Sequence, residues 1–161
     1  MALPQQKGAA LEELLEWKHN AYRANNQAVV WFNGTKASVR GGRVIMEQSR
    51  PDFEGVLRGG RHVAFDAKHV MVPEYRHDRR RAHQLRDLWE VHEAGGVAFL
   101  LVSVRLDDFY LLWPAYEWRD DKPYHVHLDA LASWEGARVP VAGGYGLPDW
   151  LEIVRKERRE A

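Results

Sequence analysis

Residues 9–23 carry the first clear periodicity: Leu11, Leu14, Leu15, Ala21 and Tyr22 recur at helical spacing with no internal Gly or Pro. The pattern predicts an opening helix of about four turns. Residues 28–32 are a short β-branched and aromatic run halted by Asn33-Gly34, the pattern of a buried strand ending in a turn. Residues 35–42 are polar and predict an exposed basic loop or hairpin tip, with a short strand at 44–46 after it. Regular structure breaks at Ser49-Arg50-Pro51-Asp52 before Phe53, and Arg58-Gly59-Gly60-Arg61 makes a turn.

Residues 62–68 alternate cleanly, with Val63, Phe65 and Ala67 on one face and His62, Ala64, Asp66 and Lys68 on the other. This predicts a central strand bearing an acid and a base on one side. Leu85, Leu88, Trp89 and Val91 predict a helix that stops at Gly95-Gly96. The uninterrupted apolar run 97–104 predicts a strand covered on both faces, and 109–113 its hairpin partner across Leu106-Asp107-Asp108. Beyond Pro114 the pattern weakens to a short helix around 128–134, a Gly-rich loop at 143–146 and a final helix from 148 to about 159. The order of elements predicts an α/β/α sandwich with a central mixed sheet, one domain over residues 1–161.

Composition narrows the chemistry. Apolar residues at 45% and seven Trp exclude a disordered chain, and 161 residues can bury a full core. With no Cys, disulfides, thiolate zinc sites and thiol nucleophiles are excluded, so any metal must sit on oxygen or imidazole. No apolar run approaches the roughly 20 residues of a membrane helix, and the first residues lack the apolar stretch of a signal peptide. The expectation is a cytoplasmic protein, in the host cytoplasm if viral, with no membrane partner.

The net charge of zero hides a split: residues 1–86 hold 15 Lys and Arg against 9 acids, and residues 87–161 hold 8 against 14. A basic half of this kind suits a polyanion. The informative cluster lies within it. Asp52 opens one predicted strand, and Asp66-Ala67-Lys68 lies on its hairpin neighbour. Two carboxylates and the Ala67 carbonyl make a hard-oxygen site for Mg²⁺, with Mn²⁺ able to substitute. Lys68 adds a compact charge that can orient a water or stabilise a developing anion. Asp52 alone would suit a turn, and Lys68 alone an exposed strand end. An Asp between Phe65 and Ala67, by contrast, costs free energy unless a cation or a donor meets it. Arg79, Arg80 and Arg81 stand at a helix start, where cations oppose the dipole and phosphate contact would compensate. His125 and His127 have strand spacing, but no compact ligand motif surrounds them and no zinc site is assigned.

Pro51-Asp52 with Asp66-Ala67-Lys68 resembles the PD-(D/E)xK signature of restriction-endonuclease-like nucleases. Gly8-Ala9-Ala10-Leu11-Glu12 is similar to the N-terminal glycine-to-helix element of Holliday junction resolvases. The ordered set Asp52-Phe53-Glu54-Gly55, Phe65-Asp66-Ala67-Lys68, His83-Gln84 and Gly95-Gly96-Val97-Ala98-Phe99-Leu100 is similar to the RecU resolvase family, and in part to archaeal Hjc-type resolvases.

That resemblance covers residues 8–113 and leaves 114–161 as a helical and loop extension without a motif. It implies a restriction-endonuclease-like nuclease that resolves four-way DNA junctions by paired symmetric nicks, acting as a homodimer on branched DNA with no organic cofactor. Glu12 (or the less favoured Glu13), Asp52, Asp66 and the Ala67 carbonyl would hold metal. Lys68 would assist the attacking water, and Gln84 would position water or phosphate. Lys36, Arg40, Arg43, Arg79, Arg80 and Arg81 would contact DNA phosphates. Two departures stand out. The strand acid is Asp66 where Glu is usual, and residues 34–49 are short where RecU proteins carry a long stalk. A nuclease for flaps, mismatches or duplex sites, or a non-catalytic junction-binding module, are the alternatives.

Overall fold

A computed structural model of the chain describes residues 4–34, 37–46, 50–142 and 146–160. Helix α1 (Pro4–Ala24) begins a turn before the apolar periodicity does. It buries Leu11, Leu15, His19 and Tyr22, whose three- and four-residue spacing makes one stripe. After it come β1 (Ala28–Phe32) and a separate hairpin of β2 (Ala37–Arg40) and β3 (Arg43–Met46). That hairpin turns at Gly41 and Gly42, whose φ values of 59° and 76° are left-handed and favour glycine. The chain continues through β4 (Phe53–Leu57), β5 (His62–Val70), β6 (Glu74–Arg76), α2 (Ala82–Glu93), β7 (Val97–Val104) and β8 (Asp108–Leu112). It ends with β9 (His125–His127), β10 (Gly136–Val139) and α3 (Trp150–Glu160).

The main sheet has the order β1-β4-β5-β7-β8-β10. The β5–β7 pair is parallel and the other neighbours are antiparallel. The strict alternation along β5 divides two cores. Val63 and Phe65 pack with Leu11, Leu15 and Trp150 on the side of α1 and α3, whereas Ala64 packs with Leu85 and Leu88 on the side of α2. The result is the α/β sandwich around a central mixed sheet that the pattern predicts. All eight residues of β7 are buried, as its continuous apolar run requires. Among the described residues no helix is long and apolar enough to cross a membrane.

Three local expectations change. Residues 28–32 form an edge strand rather than a buried one, leaving Trp31 and Phe32 about half exposed. The helix expected around 128–134 is only a 3-10 turn at Leu128–Ala130, because the chain then turns into β10 against β8. Gly136 permits that approach, since a Cβ there would sit 2.1 Å from the Leu111 carbonyl oxygen. The strand β6 was not foreseen: three residues after Pro73 carry no periodicity, and their pairing partner is the distant β9. The last third also supplies Trp150, fully buried against Phe65 and Phe99. Residues 143–145 of the expected Gly-rich loop, and Lys36, lie outside the described residues.

Candidate active site

The hairpin β4–β5 pairs Phe53 with Phe65, so the next rung would set Asp52 opposite Asp66. At that rung side chains replace the ladder. The Asp52 backbone N–H donates to Asp66 Oδ1 at 2.9 Å, and the Ala67 N–H donates to Asp52 Oδ2 at 3.0 Å. The two carboxylates are thereby crossed over one open strand end. Asn33 holds the other flank of β4. Its backbone N–H donates to the Asp52 carbonyl at 2.8 Å and its Nδ2 donates to the Pro51 carbonyl at 2.7 Å. Since one residue's N–H and C=O leave the same strand edge, the Ala67 carbonyl also faces the gap where β4 has ended.

Asp66 is 1% exposed, and its Oδ2 has no hydrogen-bond partner. A buried carboxylate oxygen without a donor is costly. Burial first, and the Asp52 carboxylate second, push the Asp66 pKa up to about 7, against the opposing pull of Lys68. This orphaned oxygen is the feature a divalent cation would satisfy. Asp52, Asp66 and the Ala67 carbonyl are hard-oxygen donors suited to such an ion.

Lys68 lies two residues along the same face of β5. Its Nζ donates to Gln84 Oε1 at 2.6 Å, tying β5 to α2. Burial lowers the Lys68 pKa, while Asp66 and Asp52 oppose that shift. Gln84 therefore enters the cluster through Lys68. Glu12 stands on α1, on the other layer, where partial burial and then the charge of the Asp52 carboxylate raise its pKa. The Glu12, Asp52 and Asp66 oxygens do not form a group within 4.8 Å of one another. Glu13 is exposed.

The cations fall into two groups. Arg40 and Arg43 face each other across the exposed β2–β3 hairpin. Arg79–Arg81 form a 3-10 turn ahead of α2, capped by Asp78, whose carboxylate accepts from the Arg80 N–H and pairs with its guanidinium at 3.2 Å. Arg81 lies close enough to Lys68 to lower its pKa. Sequence reasoning missed Asn33 and the buried Tyr75 on β6. Tyr75 lies within the field of Asp66, and its hydroxyl meets His77 Nδ1 at 2.6 Å. The signal for Asn33 was present in Asn33-Gly34, where a turn sufficed as an explanation. No local pattern marks Tyr75.

An α/β sandwich that crosses two acids at a hairpin's open end, with a lysine and a glutamine beside them, defines the class. The chain belongs to the RecU (Recombination protein U) family, whose model matches residues 6–120. A curated relative from Oenococcus oeni, named Holliday junction resolvase RecU, is 29% identical over 122 residues, covering 68% of this chain and 61% of the relative. The chain therefore spans under two thirds of that relative's length. Among solved structures, Hjc, a Holliday junction resolvase from Archaeoglobus fulgidus, matches with a TM-score of 0.47 and 14% identity, covering 82% of this chain and 91% of that one.

Proposed function

We propose that this chain is a divalent-metal-dependent endodeoxyribonuclease on a restriction-endonuclease-like core, and that it resolves four-way DNA junctions by paired nicks. The observation that carries the reading is the crossed Asp52–Asp66 pair with the orphaned Asp66 Oδ2. Family membership and the relative's name support junctions as the substrate.

When bound, Mg²⁺, or Mn²⁺ in its place, would neutralise phosphate charge and make an attacking water acidic. Asp52, Asp66 and the Ala67 carbonyl would hold it, with Glu12 as a further carboxylate on the open side. Lys68, presented by Gln84, orients water and balances charge building on the phosphate. Arg81 and Arg79 bind the phosphates flanking the cut, and Arg40 and Arg43, with Lys36, bind an arm of the junction. A four-way junction offers two symmetry-related scissile phosphates, which a two-fold homodimer matches. Exposed Trp31 and Phe32 on the edge strand β1 are suited to such an interface. The reading places the protein in the cytoplasm with its DNA.

The test is cleavage of an end-labelled four-way junction beside a linear duplex of the same sequence in Mg²⁺. Symmetric nicks confined to the junction support a resolvase. Equal cutting of both DNAs identifies a general nuclease, and binding without cuts a junction-binding module.

A further inference from the structure

Glu74, His125 and His127 bring one carboxylate oxygen and two imidazole nitrogens within 4.8 Å of one another. They belong to the ribbon of β6 and β9, in which Glu74 faces His127 and Arg76 faces His125. Residues two apart share a strand face, so these four side chains stand on one side of the ribbon. Tyr75 and Val126, both buried, stand on the other. His125 Nε2 is hydrogen-bonded to Glu74 Oε1, and the His125 and His127 ring centroids are 5.0 Å apart.

We propose that this face is a second metal site, separate from the acid pair, that takes Zn²⁺ or a similar imidazole-preferring transition-metal ion on Glu74, His125 and His127. Two imidazoles and one carboxylate form a donor set that Zn²⁺ accepts, leaving a fourth position open to solvent. Mg²⁺ prefers oxygen donors and keeps its waters, so ligand chemistry separates this site from Asp52–Asp66. Zn–N and Zn–O bonds near 2.0–2.1 Å put tetrahedral donors about 3.3 Å apart. The donor atoms here need only close in by small rotations of side chains, His125 and His127 being exposed and Glu74 half-buried. Arg76 Nε, 3.2 Å from Glu74 Oε1, competes for the carboxylate, but its side chain is 74% exposed and free to turn into solvent.

The placement gives the ion a task. The ribbon is three residue pairs long and, among the described residues, joins no other sheet, and short two-stranded ribbons are marginal in water. A metal bridge would fasten β6 to β9 and so fix Tyr75, which belongs to the core beside Ala64 and Leu85 and whose hydroxyl meets His77 Nδ1. The site would thus brace the core on the α2 side of β5. The inference does not depend on junction cutting.

The experiment is calorimetric titration of Zn²⁺ into the full chain in excess Mg²⁺, with the visible spectrum of the Co²⁺-substituted protein as a second readout. The wild type should take one Zn²⁺ with a rise in Tm and show the intense absorption of tetrahedral Co²⁺. His127→Ala and Glu74→Gln should each weaken binding about tenfold or more. Asp66→Asn should bind Zn²⁺ as the wild type does. No zinc binding by the wild type, equal affinity in the His127 and Glu74 variants, or loss of the site in Asp66→Asn would each overturn the proposal.

Discussion

Ionising Asp66 carries a cost that its position in the strand makes unavoidable. Its pKa in the fold, about 7, lies above the ordinary 3.8, so the native state holds a proton that the unfolded chain has already released. Its contribution to stability is therefore full below pH 4 and is lost as pH rises through about 7. Asp66→Asn should raise the Tm of the metal-free protein at pH 8 and leave it nearly unchanged near pH 4; thermal melts in EDTA at both pH values check this. Lys68 and Gln84 separate by role. Lys68→Ala should slow cleavage about a hundredfold. Gln84→Ala should slow it less, and Gln84→Glu, which keeps an oxygen for Nζ, should recover part of the loss in single-turnover rates. Strand alternation in the sequence puts Asp66 and Lys68 on one face, whereas Asp52 and Gln84 are legible only through the ordered set of motifs that resembles the resolvases. Asn33 and Tyr75 were hidden, since each acts through a contact that only folding creates.

Among the elements, α1 and α3 are joined by two buried hydrogen bonds, one of them from the Leu151 N–H to the Tyr22 hydroxyl at 3.2 Å. Trp150 Nε1 donates to His19 Nε2 at 3.0 Å, with Phe53 and Phe65 packed edge-on against the imidazole. Burial drives the His19 pKa down to about 3 from 6.5. A depressed pKa gives stability that is present above pH 6.5 and lost as pH falls towards 3. His19→Gln keeps an acceptor for Trp150 but cannot take up that proton, so its Tm should fall less steeply between pH 6.5 and 4 than that of the wild type. Gly55 sets the approach of β1 to β4: a Cβ there would lie 2.0 Å from the Val29 carbonyl oxygen, a backbone atom that cannot yield. Gly55→Ala should cost about 1–3 kcal/mol in urea unfolding, because the strands must part. The long elements were readable because periodicity is strongest over many residues. Elements of three or four residues, β6, β9 and β10, follow from pairing with distant strands that no local window contains.

At the scale of the molecule, the charge split leaves two basic patches to test. Of the 15 basic residues of the first half, Arg40 and Arg43 stand on the β2–β3 hairpin and Arg79, Arg80 and Arg81 on the turn beside Lys68. If both patches hold phosphates, junction affinity falls steeply with salt, and replacing Arg79 and Arg81 by Ala should reduce the slope of log K against log salt by roughly 2. Titrations at three salt concentrations measure it. The sandwich itself was foreseeable from the order of helices and strands. The use of residues 114–161 was not, because β10 and Trp150 complete a sheet and a core begun a hundred residues earlier. The central claim is that the crossed acids cut DNA and do not merely bind it. Its most direct test compares wild type with Asp66→Ala on a labelled junction in Mg²⁺, scoring cleavage and binding in parallel. The account predicts undiminished junction binding with cleavage reduced about a hundredfold or more; cleavage at the wild-type rate by Asp66→Ala would contradict it.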